Sequence, residues 1–112
     1  MLLTEALPLN EQGVLEARIE ISFWGEAVGD ESLRCIQNEE VDAFAPRIRR
    51  LLDQAAQDGE LREDVNLDRI VHECLTLVDG LSIQAVMYPA KAGPPEQLAM
   101  LDALLDRVRA PR

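Results

Sequence analysis

Through four long blocks of this chain the apolar residues recur at steps of three and four, and nowhere do they alternate over the length of a strand. That period is the helical one, so each block is predicted to coil with its apolar residues gathered on a side. Gly, Pro and Asn fence the blocks. After a short lead-in ending at Pro8, Asn10 caps a helix over residues 11–28, with Gly29 as its left-handed stop. Asp30 caps a second helix over residues 31–58, which ends at Gly59. Inside it Pro46 removes a backbone hydrogen bond, which predicts a kink or break just before it. A charged connector, residues 60–65, leads to Asn66, the cap of a third helix over residues 67–88 that stops at Pro89. Pro95 suits the first turn of a fourth helix, which continues to about Arg109. Short connections favour antiparallel neighbours, so the expected fold class is all-α, an antiparallel bundle of four main helices.

A chain of 112 residues supports one domain, spanning 1–112, and leaves no room for a second. Its 21 acidic residues against 11 basic ones give a net charge of -10. Gripping nucleic acid means neutralising phosphates with clustered Lys and Arg, so this balance argues against DNA or RNA as a direct partner, and equally against an anionic membrane surface. Cys35 and Cys74 form no metal-like spacing and no disulfide framework. With no leader and no unbroken apolar run of membrane-spanning length, the expected location is a reducing cytoplasm, with no membrane partner.

Two helices carry more apolar surface than an edge helix needs. On the first, Val14, Ala17, Ile21, Trp24 and Val28 form one row, and Leu15, Ile19 and Phe23 form another. A lone protomer would leave one of these rows wet. On the third, residues from Ile70 to Val86 fill a wide core-facing arc, while Arg69, His72, Thr76, Gly80, Ile83 and Met87 run along the opposite side. Glycine inside a helix costs about 1 kcal/mol against alanine, which is easiest to explain at Gly80 if two backbones meet there; the plain alternative is a tolerated surface glycine. The fourth helix adds Leu98, Leu101 and Leu105. The expectation is a homodimer whose last two helices form an intermolecular four-helix bundle, with His72, Thr76, Gly80, Ile83, Met87, Leu98, Leu101 and Leu105 at the seam.

No catalytic constellation stands out. His72, the one histidine, is a turn from Asp68 and Thr76, where a local hydrogen bond accounts for it better than proton transfer. Glu39, Glu40 and Asp42 point to different sides of a helix and read as solvated surface, and the Glu-x-x-His pairs of a di-iron bundle are missing. The basic residues Arg47, Arg49 and Arg50 suit pairing with nearby acids more than receiving a phosphate. Neither a metal, a cofactor nor an enzymatic activity is therefore expected. What remains is an apolar interior with a few larger side chains, the material from which pockets between helices are built. Candidate lining residues are Trp24, Phe44, Ile48, Cys74, Leu75 and Val78, with simple core packing as the competing reading of each. Such a lining, with carboxylates nearby, admits a hydrophobic or cationic molecule.

The order of motifs adds a resemblance. Leu15-Glu16-Ala17-Arg18, Phe23-Trp24-Gly25-Glu26-Ala27 and Asp30-Glu31-Ser32-Leu33-Arg34 are followed by Leu51-Leu52, by Gly59-Glu60-Leu61-Arg62 with Asp64, and by Leu77-Val78-Asp79-Gly80-Leu81 with Gln84-Ala85. This succession, closed by the helix from Pro95 to Val108, resembles the C-terminal regulatory domain of TetR/AcrR-family transcriptional regulators, in the subgroup with a BetI-like C-terminal region. The resemblance implies a helical domain that senses small effectors in a pocket between helices and dimerises through its last two long helices. It also implies that DNA is read by a separate helix-turn-helix domain, which this chain lacks, since Met1-Leu2-Leu3 already matches the end of a regulatory-domain helix. A non-catalytic protein-interaction module without a small-molecule ligand is the alternative expectation.

Overall fold

The computed structural model describes residues 2–111 and is helical throughout, with one isolated antiparallel bridge between Leu61 and Arg109. Its helices are α1 (Leu2–Glu5), α2 (Glu11–Ala27), α3 (Glu31–Gln57), α4 (Leu67–Met87) and α5 (Pro94–Asp106). The expected caps are in place. Asn10 Oδ1 accepts from the Gly13 N–H at 2.8 Å, Asp30 Oδ1 from the Ser32 N–H at 2.9 Å, and Asn66 Oδ1 from the Arg69 N–H at 3.1 Å. Each satisfies a donor that has no partner within its own helix. Gly59 ends α3 with φ 74°, the left-handed conformation open to glycine at little cost.

Several boundaries differ from the sequence expectation. Gly29 is not left-handed; α2 is closed instead by short turn bonds, from the Gly29 N–H to Glu26 O at 3.2 Å and from the Asp30 N–H to Ala27 O at 3.1 Å. α3 passes through Pro46 without a break. Pro46 and Asp42 are both exposed, so water can serve the Asp42 carbonyl that the proline leaves without a donor. α5 stops at Asp106 rather than Arg109, because the chain beyond it turns to pair with the connector. There the Arg62 N–H donates to Val108 O at 2.9 Å and the Ala110 N–H to Glu60 O at 2.8 Å.

α4 is the hub, packing against α2, α3 and α5. Its Ala85 is buried, and its Ile70, Val71, Cys74, Val78 and Leu81 join Ile48 and Leu52 of α3, Leu101, Leu104 and Val108 at the end of the chain, and Leu3 and Leu7 around α1. By length and composition α4 is apolar enough to cross a membrane, with a mean hydropathy of 1.3 over its best window. Glu73 and Asp79 interrupt that window, and contacts with three helices cover part of its apolar surface, leaving Ile83 and Met87 exposed.

The chain is a slab of 44 × 33 × 18 Å. Its radius of gyration is 15.1 Å, where a compact domain of this length has about 13 Å. It leaves 7619 Å² accessible, against about 6,200 Å² for a folded monomer of this mass. The surplus is apolar in part: Leu15, Ile19, Val28, Ile36, Ile83, Met87, Leu98 and Met100 all stand exposed.

Candidate functional site

Two of the hollows in the surface border the core. The first is a half-open pocket of about 350 Å³ between α1, α2, α3 and α4. Trp24 of α2 and Phe44 of α3 supply aromatic surface, and Ala6, Val41, Leu75 and Val78 supply aliphatic surface. Around them stand Glu5, Glu16, Glu20, Glu40 and Asp79, contributed by all four helices, with no Lys, Arg or His among the described lining residues.

That excess of one sign leaves a mark on the carboxyls. Glu20 is held above the usual carboxylate range, first by burial and then by repulsion from Glu40, Asp79 and Glu16. Burial likewise raises Asp79, which sits in the middle of the most apolar helix. Gln12 donates to one Glu16 oxygen at 3.1 Å, and the Ser82 hydroxyl donates to Val78 O at 2.8 Å. The acids bring negative potential to a site that also offers Trp24, Phe44, Leu75 and Val78, an arrangement that lowers the energy of a cation and favours one with apolar or aromatic-seeking surface.

The second hollow, a cleft of about 530 Å³, lies at the other end of α3, between Ile48, Leu51, Leu52 and Ala55, the connector at Leu61, and Leu105 and Val108. Its charged lining residues are Glu60 and Arg109, and Arg109 is ion-paired with Asp106. Here the walls offer apolar contact and little uncompensated charge.

Four of the six expected lining residues, Trp24, Phe44, Leu75 and Val78, meet in the acidic pocket. The other two do not. Ile48, 1% exposed, faces the second cleft, and Cys74, 0% exposed, lines neither; burial pushes its thiol up to about 11, with Glu73 adding to the effect, so it is an inert apolar filler. Carboxylates were expected nearby, but of the five here only Glu40 is singled out by the sequence, and there it reads as solvated surface. The usable signal was Asp79, a lone charge amid Leu77, Val78 and Leu81.

The expected seam divides in the same way. His72, Thr76, Ile83, Met87 and Leu98 are exposed, Gly80 and Leu105 are half-buried, and Leu101, 2% exposed, belongs to the chain's own core and not to an open seam. At Gly80 an added Cβ would meet nothing within 4 Å in this chain, so no contact inside the protomer demands the glycine. His72 contributes only its carbonyl, which accepts from the Thr76 hydroxyl at 2.9 Å. Of the three arginines, Arg49 pairs with Asp53 at 3.0 Å and with Asp68, while Arg47 lies 5.8 Å over the Phe44 ring. Among the described residues no group of three or more His, Cys, Asp or Glu is placed to hold a metal ion.

A family model described as the C-terminal region of a BetI-type transcriptional repressor matches residues 1–110. No curated protein matches the chain.

Proposed function

Because the chain belongs to the family of BetI-type transcriptional repressor C-terminal domains, we propose that it is the effector-sensing and dimerisation part of such a regulator, with a small organic cation as the effector. The family is one of regulators and not of enzymes. DNA reading belongs on this view to a separate helix-turn-helix domain, in keeping with the net charge of -10, and the regulator works in the cytoplasm.

One observation carries the proposal: the two sides of α4. Leu75, Val78, Asp79 and Ser82 line the acidic pocket, while half-buried Gly80 and exposed Ile83 and Met87, interleaved with them along the same helix, form a second row. A rigid rod shared by a pocket and a pairing surface lets occupancy of one bias the geometry of the other. An effector that prefers one arrangement of the dimer shifts the population toward it by its difference in affinity. The accessible surface supports pairing. Roughly 1,400 Å² beyond the monomer expectation exceeds the roughly 800 Å² that each partner of an ordinary interface covers.

The volume of the pocket falls within the range of small-ligand sites, about 300–1,000 Å³. Its chemistry selects charge: an anion would meet five carboxylates, whereas a quaternary ammonium ion would find them together with Trp24 and Phe44. Titration calorimetry with tetraethylammonium, beside sedimentation of the unliganded chain, tests both halves. Expected are a dimer at micromolar concentration and saturable binding that weakens at least about tenfold in Trp24→Ala. A monomer would remove the pairing half, and binding indifferent to Trp24 would remove the sensing half.

A further inference from the structure

Gln97 is the most deeply buried polar side chain among the described residues, 1% exposed in the first turns of α5. Its amide faces backbone carbonyls from two separate loops. Nε2 donates to Ala92 O at 2.8 Å, in the loop between α4 and α5, and to Pro8 O at 3.2 Å, in the turn between α1 and α2. Two neighbouring acceptors fix the orientation of the amide, because turning it over would set its oxygen against both carbonyl oxygens. The consequence is a stranded acceptor: Oε1 is buried without a partner. Buried acceptors are almost always satisfied, and a methionine would fill a similar volume without leaving one, so the amide's worth lies in what its two N–H groups hold together.

We infer that Gln97 clamps the α1–α2 turn to α5, so that one wall of the acidic pocket and the pairing helix move as a unit. The wall is Glu5 and Ala6, and the chain reaches Pro8 two residues later. From the other side α2 presses on the same turn, where a Cβ at Gly13 would stand 3.1 Å from Pro8 Cα. Pro8 is buried, and Leu7 beside it is in the core. The turn is thus gripped between α2 and α5, and Gln97 forms the grip on the α5 side. A ligand that displaces Glu5 or Ala6 pulls on the Pro8 carbonyl, and the pull reaches α5 through the Gln97 amide. The clamp stands on the hydrogen bonds alone; its regulatory meaning rests on the pocket and seam proposed above.

Residue-resolved hydrogen exchange on the full chain tests it, with Gln97→Met as the first variant. Expected is exchange faster by about tenfold at Leu9, Gly13 and Val14, with Leu81, deep in α4, unchanged. Wild-type exchange at Leu9, Gly13 and Val14 would overturn the clamp. Should Leu81 speed up equally, Gln97→Glu decides. Its carboxyl donates only when protonated, so protection of the turn relative to wild type must return as pH falls, and pH-independent protection would overturn the clamp. Adding tetraethylammonium then separates the two readings. In the wild type it should alter protection at Lys91 and Ala92 as well as near Glu5, and in Gln97→Met only near Glu5; an effect at Lys91 and Ala92 that persists in the variant refutes transmission through Gln97. If the cation leaves every amide of the wild type unchanged, the pocket reading fails, while the ligand-free comparison still decides the clamp.

Discussion

The inner and outer sides of α4 are built from the same helix and answer to different requirements. Inside, Val71, Cys74, Val78, Leu81 and Ala85 meet α2, α3 and α5, and their sizes are fixed by neighbours already in place. Outside, Thr76, Ile83 and Met87 are exposed, and a Cβ added at Gly80 would meet nothing in this chain within 4 Å. Stability is therefore concentrated on the inner side, the proposed association would fall to the outer one, and the two should respond separately to substitution.

Leu81→Ala gives the largest expected effect on the inner side. Leu81 is 2% exposed, and removing it leaves a cavity that costs about 2–5 kcal/mol, read as a lower denaturation midpoint with an unchanged slope. On the outer side, Ile83→Glu should weaken association about a hundredfold in sedimentation while leaving helicity untouched; a matching loss of helicity would show that Ile83 serves the protomer's fold. The acidic pocket adds a pH dependence. Glu20 and Asp79 have raised pKa values in the folded chain, so the folded state holds protons that the unfolded state has already released. Stability from these groups is fully present at acid pH and is lost as pH rises through the raised values. Glu20→Gln should thus raise the neutral-pH melting point by about 2–4 °C and do nothing near pH 3. Cation affinity should run the other way, rising with pH as the carboxyls ionise, and calorimetry at two pH values checks it. Smallest of all, Gly80→Ala should stabilise the protomer by roughly 0.5–1 kcal/mol through helix propensity and still weaken pairing, sharpening the contrast at a single atom.

Most of the fold was legible in the sequence, because Asn10, Asp30 and Asn66 act through their immediate neighbours and a helical period declares itself over many residues. Features decided by one turn or by distant parts of the chain were not. α1 is a single turn ahead of Pro8, too short for a period, and the bridge from Leu61 to Arg109 joins segments with no strand pattern. That α3 runs unbroken through Pro46 could not be read from the sequence, because the cost of a proline depends on whether water reaches the freed carbonyl, which no spacing records. The pocket was half legible. Trp24, Phe44, Leu75 and Val78 were found as large or apolar groups on facing helices, whereas Ile48 and Cys74 fell elsewhere because membership of the core does not say which hollow a side chain borders. The acids are brought together only when four helices converge.

The bridge between Leu61 and Arg109 also has a mechanical side. It joins the segment just before α4 to the segment just after α5, so the α4–α5 hairpin is closed at its open end as well as at its loop. A hairpin tied at both ends resists splaying, and the entropy of closing it is already spent in the folded chain. Force applied to either helix is delivered by the pair as a single strut.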